Sequence, residues 1–143
     1  MRSRGFSLLE LLIVVAIILI IATIAIPSLL RSRQAANESA AVANLRTINT
    51  AQVTYLTSAS GAYGGIGDLI TAGLIDTRFS NTTTGVSGYS FAVATATGEY
   101  TATATAISSN NGRYAYYTGP DAVVRYTATS TLAPTGQTSQ PVQ

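Results

Sequence analysis

The 143-residue sequence predicts an α+β protein in which one long N-terminal α-helix packs on a small antiparallel sheet of about four strands. Three observations predict this fold class. An apolar run stands near the start of the chain, a segment without glycine or proline follows it over 28–58, and the second half contains runs that alternate with a period of two. This length suits one core, because two independent cores would both be too small to bury much surface.

The apolar run over residues 11–26 has Thr23 as its only polar residue. A bilayer-spanning helix needs about 20 residues, and extension of the run back to Phe6 gives a transmembrane segment over 6–26. That extension includes Glu10, and a carboxylate in hydrocarbon is costly unless it is neutralised, paired or held near the interface. Either the bilayer begins at Leu11, or a positive group becomes available to Glu10.

Residues 1–5 form a short basic segment that ends in a small residue, Gly5. An ordinary secretory signal is cleaved after its apolar region at a pattern of small residues, and residues 27–31 lack that pattern. The basic residues favour a cytoplasmic N-terminus, although Arg31 and Arg33 beyond the apolar run weaken the charge asymmetry. We therefore interpret 1–5 as a leader of another kind.

The segment from Arg4 to Val15, RGFSLLELLIVV, resembles the cleavage and methylation motif of type IV prepilins. Their relatives include type II secretion pseudopilins and competence pilins. The resemblance implies the pilin fold, cleavage by a prepilin peptidase between Gly5 and Phe6, and N-methylation of Phe6. It also implies a single-pass inner-membrane precursor with a cytoplasmic N-terminus, which an inner-membrane pilus or secretion assembly platform polymerises into an extracellular pilus or a periplasmic pseudopilus.

Cleavage before Phe6 would create the positive group that Glu10 lacks. A free α-amino group has a pKa of about 7.7 to 8.0, so it is largely protonated at neutral pH, and it would lie four residues from the carboxylate. Pairing of the two groups, within a chain or between neighbours, would relieve the cost of burying both. We expect Phe6 and Glu10 to set the register of a helical homopolymer.

The apolar run is followed by Pro27, which removes one helical hydrogen bond. Pro27 either ends the membrane helix or kinks it, and the resemblance to pilins favours a kink. Residues 27–58 are predicted to continue the helix with one apolar stripe, which Arg46, Asn49 and Gln52 interrupt or flank. The stripe consists of Ala41, Val42, Leu45, Ile48, Tyr55 and Leu56.

The remainder divides into a loop over 59–87, a sheet over 88–129 and a flexible tail over 130–143 that is rich in Ser, Thr, Gln and Pro. Turns are predicted at 110–112 and 119–121, where Asn, Gly and Pro cluster. The strands are predicted around 89–93, 100–106, 113–117 and 123–127. The Ala/Thr-rich second strand should have one face against the helix and the other in water.

The composition limits the chemistry of the chain. All eight basic residues are Arg, and without Arg2 and Arg4 the chain has six basic and six acidic residues, so we predict no dedicated nucleic-acid binding. Cys and His are absent, which excludes disulfides and removes the usual zinc ligands and neutral-pH proton shuttle. We expect no cofactor, no metal and no enzymatic activity, because the remaining carboxylates are scattered: Asp68, Asp76, Glu99 and Asp121.

Two segments match the N-glycosylation pattern, Asn37-Glu38-Ser39 and Asn81-Thr82-Thr83. The pattern alone is weak in a presumed bacterial protein. O-linked sugar on the Ser- and Thr-rich surface has no stronger support.

Three observations bear on the role within the family, and taken together they favour a major pilin. Without Cys, the C-terminal disulfide loop of many type IVa pilins cannot form. Without Trp, and without Pro between Pro27 and Pro120, the Asp-Pro-Trp-Gly-like segment of major pseudopilins is missing. Glu10 argues against a tip pseudopilin, because tip pseudopilins usually lack this carboxylate. A pseudopilin and a minor or competence pilin remain alternatives, and a monomeric membrane-anchored binding domain that keeps its leader is a different class.

Overall fold

The computed structural model describes residues 6–59, 61–128 and 140–142. By internal contacts the chain divides into an N-terminal unit, Met1–Arg33, and a C-terminal unit, Gln34–Gln143. The predicted leader, 1–5, lies outside the described residues. The helices are α1, Leu8–Ser58, α2, Ile66–Thr71, and a 3-10 helix, Thr77–Ser80; the strands are β1, Tyr89–Ala96, β2, Glu99–Ala106, β3, Ala115–Thr118, β4, Arg125–Thr127, and β5, Gln140–Pro141.

The prediction of one long N-terminal helix is confirmed, because α1 is continuous over 51 residues. Pro27 lies inside α1 and does not end it. Since proline has no backbone N–H, the Thr23 carbonyl lacks the donor that an α-helix normally supplies four residues later. The Thr23 hydroxyl donates to the Ile20 carbonyl at 2.7 Å, so this polar side chain is satisfied within its own helix. A bend at Pro27 stays a prediction.

The strands form one antiparallel sheet in the order β1-β2-β3-β4-β5. β1 and β2 pair along their whole length around a tight turn, in which Gly98 has a φ of +74°. Glycine adopts this left-handed conformation without steric cost.

The described sheet has one strand more than the sequence predicts. β5 lies within residues 130–143, which were predicted as a flexible tail, and Tyr126 of β4 is paired with Gln140. The Val142 N–H also donates to the Val124 carbonyl at 2.8 Å. A two-residue strand carries too little alternation to be recognised from sequence. Residues 129–139, between β4 and β5, lie outside the described part of the chain.

The core of the C-terminal unit contains one face of α1 and one face of the sheet. Ala41, Leu45 and Ile48 of the predicted stripe are fully buried, and Val42 and Tyr55 pack partly buried against the same core. In β2 the alanines are buried while Thr101 is exposed and the next two threonines are half-buried. This confirms the predicted division of the Ala/Thr strand, because the alanine face lies in the core and the threonine face is the more exposed one.

Two amides of α1 are buried among these apolar residues. The Gln52 side chain, fully buried, donates to the Gly64 carbonyl at 2.6 Å and accepts from the Gly64 N–H at 3.1 Å. Asn49 accepts from the Tyr100 hydroxyl at 2.8 Å and donates to the Thr118 hydroxyl at 2.9 Å. Each amide therefore satisfies buried polar groups that would otherwise lack partners.

Polar side chains of α1 also hold the loop between β2 and β3. Gln34 and Asn37 donate to backbone carbonyls of the loop at 2.8 and 2.9 Å. Glu38, which is 7% exposed, accepts from the Arg113 backbone N–H at 2.8 Å and from its guanidinium at 2.9 and 3.1 Å. The two ion-pair residues are 75 positions apart in the chain.

Three buried tyrosines predict that the C-terminal unit unfolds at alkaline pH. Burial raises the pKa of Tyr100 and of Tyr116 from 10.0 to about 12, and burial also raises the pKa of Tyr89. The neutral phenols are favoured in the folded state, so the stability is intact below pH 10 and is lost as the pH rises through about 12. Circular dichroism and tyrosinate absorbance should change together in this range. Ionisation of all eight tyrosines near pH 10 with the fold intact would contradict the prediction.

Candidate assembly site

The N-terminal unit presents large apolar side chains without cover. Leu8 is 80% exposed, Ile24 73% and Leu29 70%, and the other large apolar side chains between Leu8 and Leu29 are 44% to 68% exposed. Among the described residues, α1 is the helix that is long and apolar enough to cross a membrane. A contiguous apolar surface of this size is unfavourable in water, so lipid or protein must cover it.

Glu10 stands in the first turn of α1 and is exposed. The first helical hydrogen bond runs from the Leu11 N–H to the Ser7 carbonyl at 3.2 Å, so the carboxylate lies near backbone N–H groups that have no helical acceptor. The helix dipole favours a negative charge at this end. In the described ranges the Glu10 side chain makes no hydrogen bond or ion pair.

Phe6 lies two residues before α1 and is 76% exposed. Four residues correspond to about one helical turn, so the chain brings the Phe6 backbone nitrogen and Glu10 to the same end of α1. Gly5, the other residue of the predicted cleavage site, lies outside the described residues. Pro27 is on the same helix but about 25 Å from Glu10, at 1.5 Å per residue. Phe6 and Glu10 thus lie at the same end of α1, and Pro27 is separate from them.

Among the carboxylates of the C-terminal unit, Asp68, Asp76 and Asp121 have structural partners, whereas Glu99 is exposed and makes no hydrogen bond or ion pair with the described residues. Asp68 accepts from the Gly65 N–H at 2.8 Å and caps α2, and Asp76 accepts from the Arg78 N–H at 2.8 Å and caps the 3-10 helix. Asp121 pairs with Arg125 at 2.6 Å, and hydrogen bonding to that guanidinium lowers the pKa of the Asp121 carboxyl. Over the described residues no group of three or more acidic residues, histidines or cysteines is close enough to hold a metal.

Two cavities of the C-terminal unit lie beside charged residues. One of about 430 Å³ lies beside α1 and is lined by residues that include Glu38, Arg46 and Tyr116. Another of about 390 Å³ lies at the end of β3 beside Glu99 and the Asp121–Arg125 pair. Arg125 already pairs with Asp121 and Glu38 with Arg113, so the best-formed candidate site remains the first turn of α1.

Sequence reasoning missed the roles of Glu38, Asn49 and Gln52. The signal was present, since these polar residues lie on or beside the apolar stripe of α1. Their partners are 12 to 75 positions away in the chain, however, and only the folded chain identifies them.

A long helix with an exposed apolar N-terminal segment, a carboxylate in its first turn and a small antiparallel sheet define the class as pilin-like. Residues 1–26 match the family described as the prokaryotic N-terminal methylation motif. The chain is similar to the type IV major pilin protein PilA of Myxococcus xanthus, with 48% identity over 54 residues. It is also similar to the type IV wide pilus major component PilA4 of Thermus thermophilus, with 50% identity over 44 residues. These matches confirm the resemblance to type IV pilins.

The similarity covers part of each chain. It spans 38% of this chain and 24% of the Myxococcus protein, and 31% of this chain and 34% of the Thermus protein. The chain thus aligns with about a quarter to a third of the length of these relatives. No solved structure gives a significant match.

Proposed function

We propose that this protein is the structural subunit, the major pilin, of an extracellular type IV pilus. The observation that carries the proposal is the uncovered apolar segment of α1, with a carboxylate in its first turn that has no partner among the described residues. The two relatives, which are named as major pilus components, support it. The function is structural, so neither a cofactor nor a catalytic residue is proposed.

Leader removal by a prepilin peptidase between Gly5 and Phe6 prepares the subunit for assembly. The new Phe6 amine, which is N-methylated, is largely protonated at neutral pH. It supplies the positive charge that Glu10 lacks in the described structure. The pair then forms within a subunit or between neighbouring subunits of the homopolymer.

The lipid bilayer covers α1 before assembly, and other subunits cover it afterwards. Lipid and protein are similarly apolar, so this transfer changes the hydrophobic free energy little. A buried charge without a partner is far more costly, so the Phe6–Glu10 pair selects one register among otherwise similar helix packings. The partners are the peptidase, an inner-membrane assembly platform and further copies of this chain.

The same N-terminal motif occurs in pseudopilins of type II secretion and in minor or competence pilins. These classes are the alternatives to a major pilin. Absence of the Trp-containing segment of major pseudopilins favours the pilus. Electron microscopy of surface filaments in a deletion strain separates these roles. Loss of the abundant filaments indicates a major pilin, whereas normal filaments with loss of protein secretion indicate a pseudopilin.

The mature N-terminus tests the proposed processing. We expect mass spectrometry of the assembled protein to find a chain that begins with N-methylated Phe6. A chain that retains Met1 would instead indicate a membrane-anchored domain that stays monomeric. Replacement of Gly5 by a bulky residue should block cleavage and filament growth together, because the amine needed by Glu10 is then never formed. Replacement of Ser3, which lies within the proposed leader, is the matched control and should change neither.

A further inference from the structure

The two N-glycosylation sequence patterns lie in different structural settings. Asn37 is in the middle of α1 and is half-buried. Its side-chain nitrogen donates to the Asn111 carbonyl at 2.9 Å, so the atom that would carry a sugar is already engaged. An asparagine held in this way is a poor acceptor of a sugar, because N-glycosylation would require the helix and the loop to separate.

Asn81 directly follows the 3-10 helix and is exposed, as are the three threonines after it. Its side-chain oxygen accepts from the Thr83 and Thr84 backbone N–H groups, both at 3.0 Å. Its side-chain nitrogen makes no hydrogen bond among the described residues. The oxygen is therefore fixed by the backbone while the nitrogen remains available.

This exposed segment has a well-anchored base. Phe79 is buried at 3% exposure and contacts the ring of Phe91 at a centroid distance of 5.3 Å. The Gly85 N–H donates to the Asn81 carbonyl at 3.1 Å, which closes the loop. Residues 81–84 thus protrude from a fixed base, so an enzyme could bind them without disturbing the core.

The geometry also suits the chemistry of the asparagine amide. The nitrogen of a neutral amide is a poor nucleophile because its lone pair is delocalised onto the oxygen. As the nitrogen loses a proton, negative charge develops on the side-chain oxygen. The two N–H groups that point at this oxygen stabilise that charge.

We propose that Asn81 is an N-glycosylation site and that Asn37 is not. The donor class is a sugar joined through its C1 to a polyprenyl phosphate or pyrophosphate, presented by a membrane oligosaccharyltransferase. The Asn81 side-chain nitrogen bonds to C1, the bond from C1 to the phosphate oxygen breaks, and the lipid phosphate leaves with that electron pair. One amide proton passes to a base of the enzyme. The Thr83 hydroxyl completes the recognised pattern.

This proposal rests on the proposed function, because a subunit of an extracellular pilus has its C-terminal unit on the non-cytoplasmic side of the membrane. Sugar at Asn81 would add a large polar group to the surface.

Peptide mass spectrometry of the protein isolated from the cells that make it tests the site. We expect the peptide with Asn81 to carry a sugar, and we expect an amidase that removes N-linked sugar to convert Asn81 to Asp. The peptide with Asn37 should be unmodified. A bare Asn81, sugar on Asn37, or sugar bound to a threonine hydroxyl in 82–84 would overturn the proposal.

Matched variants separate loss of the site from loss of the fold. Asn81→Asp keeps an oxygen for the Thr83 and Thr84 N–H groups but has no amide nitrogen, so the sugar should be lost completely while the protein still assembles. Thr83→Ala should also lose the sugar. Thr82→Ala changes the neighbouring residue, which is exposed as well, and should keep the sugar. Sugar that persists at this loop in Asn81→Asp would overturn the proposal.

The N-terminal peptide of the same digest reports on the proposed function separately. A chain that begins at Phe6 with a bare Asn81 refutes the glycosylation alone. A chain that retains Met1 refutes the processing, whatever Asn81 carries.

Discussion

Replacement of Glu10 by alanine should nearly abolish filament growth while leaving leader removal intact. In the proposed assembly the variant buries the Phe6 amine without its partner, and loss of one member of a buried ion pair costs about 3 to 5 kcal/mol. Since about 1.4 kcal/mol corresponds to a factor of ten in affinity, addition of each subunit should weaken by two orders of magnitude or more. Filament counts by electron microscopy and N-terminal mass spectrometry measure the two effects.

Two further variants test whether the negative charge of Glu10 is responsible for filament assembly. Glu10→Gln keeps the size and hydrogen-bonding ability of the side chain but removes its charge, so it should assemble nearly as poorly as Glu10→Ala. Ser7→Ala changes an exposed residue near the same end of the helix and should assemble normally. Abundant normal filaments from Glu10→Ala would refute the assembly role of this carboxylate.

Replacement of Gly112 by alanine should destabilise the C-terminal unit by about 1 to 3 kcal/mol, the usual cost of overpacking a core. A Cβ at position 112 would collide with the hydroxyl of Tyr89. Tyr89 is fully buried and donates to the Tyr114 carbonyl at 2.9 Å, so its ring cannot move aside without loss of this bond. Thermal unfolding of the detergent-solubilised protein, followed by circular dichroism, measures the change.

Gly67→Ala is the matched control for Gly112→Ala. Gly67 lies inside α2, and an added Cβ there meets no atom within 4 Å. Alanine is favoured over glycine within a helix by about 0.5 to 1 kcal/mol, so this variant should be as stable as the original protein or slightly more stable. Equal melting temperatures for the two variants would contradict the close approach of Tyr89 to Gly112.

The contrast between these glycines shows how far sequence reasoning extends. The pair Asn111-Gly112 predicts a turn, and the structure has turn residues at 109–111. The described backbone does not give Gly112 a positive φ, however, unlike Gly98. Glycine is required at 112 because a tyrosine 23 positions earlier in the chain fills the space of a side chain, and no local pattern reveals that contact.

The sequence by itself determined the class of the N-terminal segment, the long helix and most of the sheet. These features depend on short-range properties, which are a run of apolar residues, the motif around Phe6 and Glu10, and the alternation of strand residues. The burial of Ala41, Leu45 and Ile48 followed from helical spacing in the same way. Each such property can be read within one continuous segment of the sequence.

The tertiary structure decided which polar groups are buried and what satisfies them. Glu38 is buried where the Arg113 backbone and guanidinium approach it from 75 residues away. Asn49 is buried where Tyr100 and Thr118, 51 and 69 residues away, bind its amide. It also distinguished Asn37, whose amide is engaged, from Asn81, whose nitrogen is available. A polar side chain can be buried only where partners replace the lost water, and those partners are defined only when the chain has folded.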